Sequence, residues 1–165
     1  MKKHLLKFIS PSSIKLEIAH VYKKGNIAVA TDSYKLLEIK LEDQFATLLP
    51  DGYYTKEEWK ILANDKKKDL WERVVLTPRP TLGEYPDYSR VIPESMECEA
   101  YKGKLAFNFS NLKDFLDARN ESERLAGRLY RKDLYFDPNQ LLENSNKMLY
   151  HKNENATLLL MAINN

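Results

Sequence analysis

The sequence predicts an α+β fold: short antiparallel strands, two helices, and a further helical stretch set between them. Three observations carry this expectation. The apolar segments around Lys23-Lys24-Gly25-Asn26 read as a β-hairpin, because Gly-Asn supplies the tight turn that two flanking strands need. Thr55-Lys56-Glu57-Glu58 is a capping box, a side-chain pattern that opens a helix. Residues 156–163 are one continuous apolar run of strand length, the signature of a buried last strand.

In chain order, residues 2–9 place Leu5 on one helical face with Phe8 and Ile9, so a helix of about two turns is expected before Pro11 stops it. A short strand is the competing reading. Residues 14–22 and 27–29 are the strands of the hairpin. Thr31-Asp32-Ser33 then ends the second strand at a turn, where Asp32 is expected to accept from backbone amides. Leu36, Leu37 and Ile39 carry a third strand to about residue 41. Leu48-Leu49-Pro50-Asp51-Gly52-Tyr53 is a turn, and the helix opened at Thr55 carries Trp59 and Leu62 three apart. Residues 64–69 close that helix or follow it as a solvated loop. Residues 70–76 read as strand, and Thr77-Pro78-Arg79-Pro80 as an extended linker. Residues 48–84 thus look like an insertion between a first half, 1–47, and a second half, 85–165, of a single domain. In the second half, residues 96–101 and 104–109 read as strands about Lys102-Gly103. Ser110 is expected to cap a helix with a Leu112, Phe115, Leu116 stripe. Residues 128–136, 147–151 and 156–163 are further strands, with turns at Asp137-Pro138-Asn139 and Lys152-Asn153-Glu154-Asn155.

Composition excludes several classes. At 165 residues and 43% hydrophobic, the chain has enough apolar side chain for one core and is not a disordered sequence. Its 26 basic and 24 acidic side chains leave a net charge of +2, so any attraction for phosphate rests on how the charges are distributed. Cys98 is the lone cysteine, which rules out an internal disulfide or a cysteine-built metal site. His4, His20 and His151 show no metal-ligand spacing, so neither metal nor cofactor is expected. Asp32, Asp87, Asp114 and Asp117 stand beside no nucleophile and no phosphate loop, so no catalytic residue is expected and the chain does not read as an enzyme. No apolar run has transmembrane length and no signal peptide is evident. A cytoplasmic location without a membrane partner is the expectation.

Two stretches resemble a known family. Ala30-Thr31-Asp32-Ser33-Tyr34-Lys35-Leu36 is similar to the Ala-Thr-Asp-Gly-His-Arg-Leu stretch of bacterial DNA sliding clamps, the β subunit of DNA polymerase III. Further on, Tyr85-Pro86-Asp87-Tyr88-Ser89-Arg90-Val91-Ile92-Pro93 is similar to the clamps' Phe-Pro-Asp-Tyr-Arg-Arg-Val-Ile-Pro. Residues 104–118, where Phe107-Asn108 runs towards a helix, and Leu159-Leu160-Met161-Ala162-Ile163 resemble the clamp more loosely. Ser33 stands where the motif has glycine, and Lys35 where it has arginine. The resemblance does not extend over residues 48–84.

The resemblance implies a DNA-clamp (processivity-fold) domain of two helix-plus-strands half-units. In that family each of two chains carries three such domains, whereas this chain carries one. A ring of the same size therefore requires a homo-oligomer of six copies. The resemblance also implies a hydrophobic peptide-binding pocket from Thr31, Ser33, Tyr34, Lys35 and Leu36, then Pro86, Arg90 and Val91, then Leu159, Met161 and Ile163. A DNA-facing set would comprise Lys2, Lys3 and Lys7 on the first helix with Lys113 and Arg119 on the second. The function implied is a processivity factor that self-associates around duplex DNA, without reading its sequence, and tethers a polymerase. The alternative is a non-ring clamp-like module that binds replication proteins or a host clamp as a regulator.

Overall fold

Short β-prone segments joined by tight turns build the sheet of the N-terminal part. β1 (Val21–Lys24), β2 (Ile27–Thr31) and β3 (Lys35–Lys40) follow one another, and β4 (Gly52–Tyr54) pairs on the other side of β1. The order is β4-β1-β2-β3 and every pair is antiparallel. Gly25 takes φ +58 in the β1–β2 turn, a conformation that glycine adopts at no steric cost. The computed structural model describes residues 1–11, 15–92, 107–127, 141–142 and 148–162. It is a mixed α+β structure that divides into two compact units, Met1–Pro86 and Asp87–Asn165.

In the first unit, strand register puts Val21, Ala28, Ala30, Leu37, Ile39 and Tyr54 on one face, all buried. A 3-10 turn at Lys2–His4 runs into α1 (Leu5–Phe8), the short helix expected there. α1 lies against β2 and β3, and α3 (Lys56–Leu62) lies beside it. Leu5, Phe8, Trp59 and Leu62 are fully buried between helices and sheet, and each is worth about 2 kcal/mol of apolar burial. The Trp59 ring sits 5.6 Å from that of Tyr54, and its indole N–H donates to the Lys2 carbonyl at 2.9 Å. The Thr55 capping box is present with both of its reciprocal bonds.

Three segments differ from the sequence reading. Residues 16–19 form a 3-10 turn (Leu16–Ala19), and the strand begins only at Val21. The turn buries Ile18, and the Leu16 carbonyl is bonded to His20 Nδ1 at 2.6 Å. Residues 71–76 are helical, α4 (Trp71–Leu76), because Trp71 with Val74 and Val75 gives helical spacing as well as a strand-like run. Finally, residues 48–84 are woven into the unit. They supply β4 and α3, and α2 (Asp43–Leu48) leads into them. Arg79, from the expected linker, closes the assembly: its guanidinium reaches Glu58 at 3.0 Å and the Val74 and Thr77 carbonyls at 2.7 Å, and lies 4.3 Å from the Tyr54 ring centre.

The second unit opens with a 3-10 turn, Tyr88–Val91. α5 (Phe109–Leu125) is capped by Asn108, not by Ser110, since Asn108 Oδ1 accepts from the amides of Ser110 and Asn111. Phe115, Ala118 and Ser122 are its buried positions, while Leu112 and Leu116 are half-buried. β5 (Leu141–Leu142), β6 (Met148–Lys152) and β7 (Ala156–Met161) form an antiparallel ladder in the order β5-β6-β7, matching the last two strands expected. Asn153 shapes the β6–β7 turn by accepting from the amides of Asn155 and Ala156, and ties it to α5 by accepting from Ser122 Oγ at 2.8 Å. The strands expected at 96–101 and 128–136, and residues 104–106 of that at 104–109, lie outside the described residues; Phe107 and Asn108 are not strand, and Phe109 already opens α5.

Candidate functional site

The β2–β3 turn is the most completely determined part of the resemblance. Asp32 Oδ1 accepts from the amides of Tyr34 and Lys35, both at 3.0 Å, which is the role the sequence suggested for it. Thr31 Oγ1 donates to the Lys35 carbonyl at 2.8 Å and accepts from the Ser33 amide at 3.2 Å. Ser33 has φ +76, the only positive φ at a non-glycine residue among those described. The motif puts glycine at this position, and the backbone here has the left-handed conformation that glycine favours. A β-turn with both flanks bonded holds Tyr34 out into solvent, 66% exposed.

Lys35 and Leu36 are adjacent in β3, so their side chains leave opposite faces of the sheet. Leu36 pairs with Thr31 and shares its face, and both are buried. Lys35 points the other way, towards α1. It is only 5% exposed, with its ammonium 3.9 Å from Asp32 and 5.3 Å from the centre of the Phe8 ring. It is an interior cation. Thr31, Ser33, Tyr34, Lys35, Leu36 and the exposed Pro86 belong to the first unit, and Arg90, Val91, Leu159 and Met161 to the second. Within the second unit, Leu159 pairs with Tyr150, and Met161 with Met148, which places all four on one strand face. The neighbouring residues His151, Leu158 and Leu160 occupy the opposite face, where His151 Nε2 lies 3.3 Å from Glu123 of α5. Arg90 is exposed and bonded within its own turn, Nε to Asp87 at 2.8 Å. Hydrogen bonds from Ser89 and then Arg90 hold the Asp87 carboxyl below its ordinary range. Ile163 lies outside the described residues.

The lysines assigned to DNA fall into two groups. Lys3 and Lys7 are exposed on the 3-10 turn and α1. Lys2 is half-buried, paired with Asp65 at 3.2 Å and set 4.2 Å over the Phe45 ring. On α5, Lys113 is exposed and paired with Asp117 at 2.8 Å, an i,i+4 contact along one face, and Arg119 is half-buried.

Two further cations tied into the fold escaped the sequence reading. Lys23, in the hairpin, is 3% exposed, and its ammonium donates to the Leu49 carbonyl at 2.6 Å and to Asp51 at 2.7 Å. That bond, with the Gly25 amide adding to it, holds the Asp51 carboxyl below its usual value. Arg79 is the second. Next to a turn or a proline, a basic residue reads as solvent-facing, and only the period-2 alignment of Lys23 with Val21 hints at the core. Among the described residues no group of three His, Cys, Asp or Glu side chains is placed to hold a metal, and no helix is long and apolar enough to cross a membrane. Set against known proteins, the chain matches no family model, no curated protein and no solved structure.

Proposed function

We propose that this chain is a DNA-clamp (processivity-fold) protein that self-associates around duplex DNA and presents a peptide-binding surface at its β2–β3 turn to a polymerase. The single observation that carries the reading is Ser33 at φ +76. It gives the Thr-Asp-Ser-Tyr turn a backbone reason to follow the clamp motif, one that the letters alone do not contain. A second feature agrees: Asn108 caps α5 at the place where the motif runs from Phe-Asn into a helix. Such a protein acts by topology. Encirclement keeps a tethered enzyme at high effective concentration without tight DNA binding. The cytoplasm is the compartment that fits this role.

The partner at the turn is an extended peptide with apolar side chains, met by Tyr34, which the turn holds 66% exposed. Light scattering on a gel-filtration peak, over a range of concentrations and with and without DNA, tests the reading. A discrete oligomer near six copies is expected. A monomer at every concentration, unchanged by DNA, contradicts the ring and leaves the non-ring interaction module in its place.

A further inference from the structure

We infer that Lys66, Lys67 and Lys68 form, with the N-terminal lysines, one phosphate-binding face for duplex nucleic acid on the first unit; this rests on the DNA reading above. The sequence keeps these lysines some sixty positions apart and leaves the triplet as a solvated run. The fold brings one of each group, Lys2 and Lys68, to Trp71. Lys2 Nζ lies 5.2 Å and Lys68 Nζ 5.6 Å from the centre of that indole ring. Lys2 also pairs with Asp65, the residue before the triplet, and so offsets one of the two carboxylates that flank it. The triplet itself is ordered at both ends. Asn64 Oδ1 accepts from the Lys66 amide at 3.1 Å, and the Trp71 indole N–H donates to the Ile61 carbonyl at 3.1 Å. Lys66, Lys67 and Lys68 are all exposed on the 3-10 segment Asp65–Leu70, which is kinked at Lys67, and Lys3 is exposed in the chain's first turn.

A run that only solubilises the surface needs no such anchoring. An anchored one loses less backbone freedom when it meets a ligand. Consecutive exposed lysines on a segment tied at both ends suit a polyanion whose charges are closely and regularly spaced, which is the character of a duplex backbone. The cations flanking Trp71 occupy the ring's surroundings, so the face contacts phosphate and does not stack bases.

The experiment measures affinity for a labelled duplex of arbitrary sequence against salt concentration, for the full chain and two triple variants. One is K66A/K67A/K68A. The other, K24A/K40A/K56A, removes the same charge from exposed lysines elsewhere on the unit. Thermal melts establish that both are folded. Each phosphate contact contributes about 0.9 to the slope of log K against log salt. The first variant is therefore expected to lower the slope by about 2 to 3, and the second by less than about 1. Duplex binding with equal slopes for both variants overturns the face and leaves the DNA reading standing. No duplex binding by the intact protein at low salt overturns both. Equal affinity for polyglutamate, with the same dependence on the triplet, overturns the assignment to nucleic acid.

Discussion

Ser33 holds a left-handed backbone that costs an L-residue about 1 kcal/mol, part of which glycine recovers. Ser33→Gly is therefore expected to raise stability by about 0.5 kcal/mol after glycine's larger unfolded-state entropy is counted, and urea unfolding measures it. A β-branched residue there is expected to destabilise. Tyr54 is a second informative residue. Burial pushes its phenol from 10.0 up to about 12, its hydroxyl donating to the Pro50 carbonyl. Because the folded state keeps the proton more tightly, this stabilisation is intact below pH 10 and is lost as pH rises towards 12. In Tyr54→Phe that part of the alkaline loss of stability disappears, and an ultraviolet titration shows one fewer late-ionising tyrosine.

At the scale of elements, Arg79 and Lys23 decide how the helices and β4 are held to the sheet. The side chains of Arg79 and Glu58 are 10% and 17% exposed, so removing the guanidinium deprives a largely buried carboxylate of its cation and the Tyr53, Val74 and Thr77 carbonyls of their donor. Arg79→Ala is expected to cost about 3 kcal/mol in denaturant unfolding, and lysine at that position to recover only part, since it lacks the planar fork. The Lys23–Asp51 bond lowers the Asp51 carboxyl below its unfolded 3.8, so its contribution is complete above pH 3.8 and is lost as pH falls through the lowered value. Asp51→Asn is expected to flatten that acid limb. The sequence makes some of these elements plain. The Gly25-Asn26 turn, the Thr55 capping box and the apolar run of β7 are local signals, and each element forms where its signal stands. Other elements depend on distant neighbours. β4 has three residues, too few to show a period, and is a strand because Val21 and Tyr22 pair with it. α4 reads equally as strand until Trp71 bonds back to α3.

For the whole molecule, the first stretch that resembles a sliding clamp lies within the first unit, while the second, Tyr85 to Pro93, is itself split at the boundary between Pro86 and Asp87. The turn at Thr31-Asp32-Ser33 was legible as chemistry because an Asp at a turn bonds its own backbone. The burial of Lys35 was not, since the face a strand residue takes depends on register and on what covers it. The same holds for the DNA-facing set: Lys2 and Lys113 carry the right charge, yet the fold supplies each with a carboxylate partner. Encirclement is what distinguishes a clamp from a surface binder, and retention on closed circular DNA tests it most directly. The protein is assembled on nicked circular duplex at physiological salt with whatever loading activity it needs, then the circle is cut once. A clamp stays with the intact circle and is released on linearisation, as it slides off the ends. Equal retention on circular and linear DNA, or none on either, contradicts encirclement.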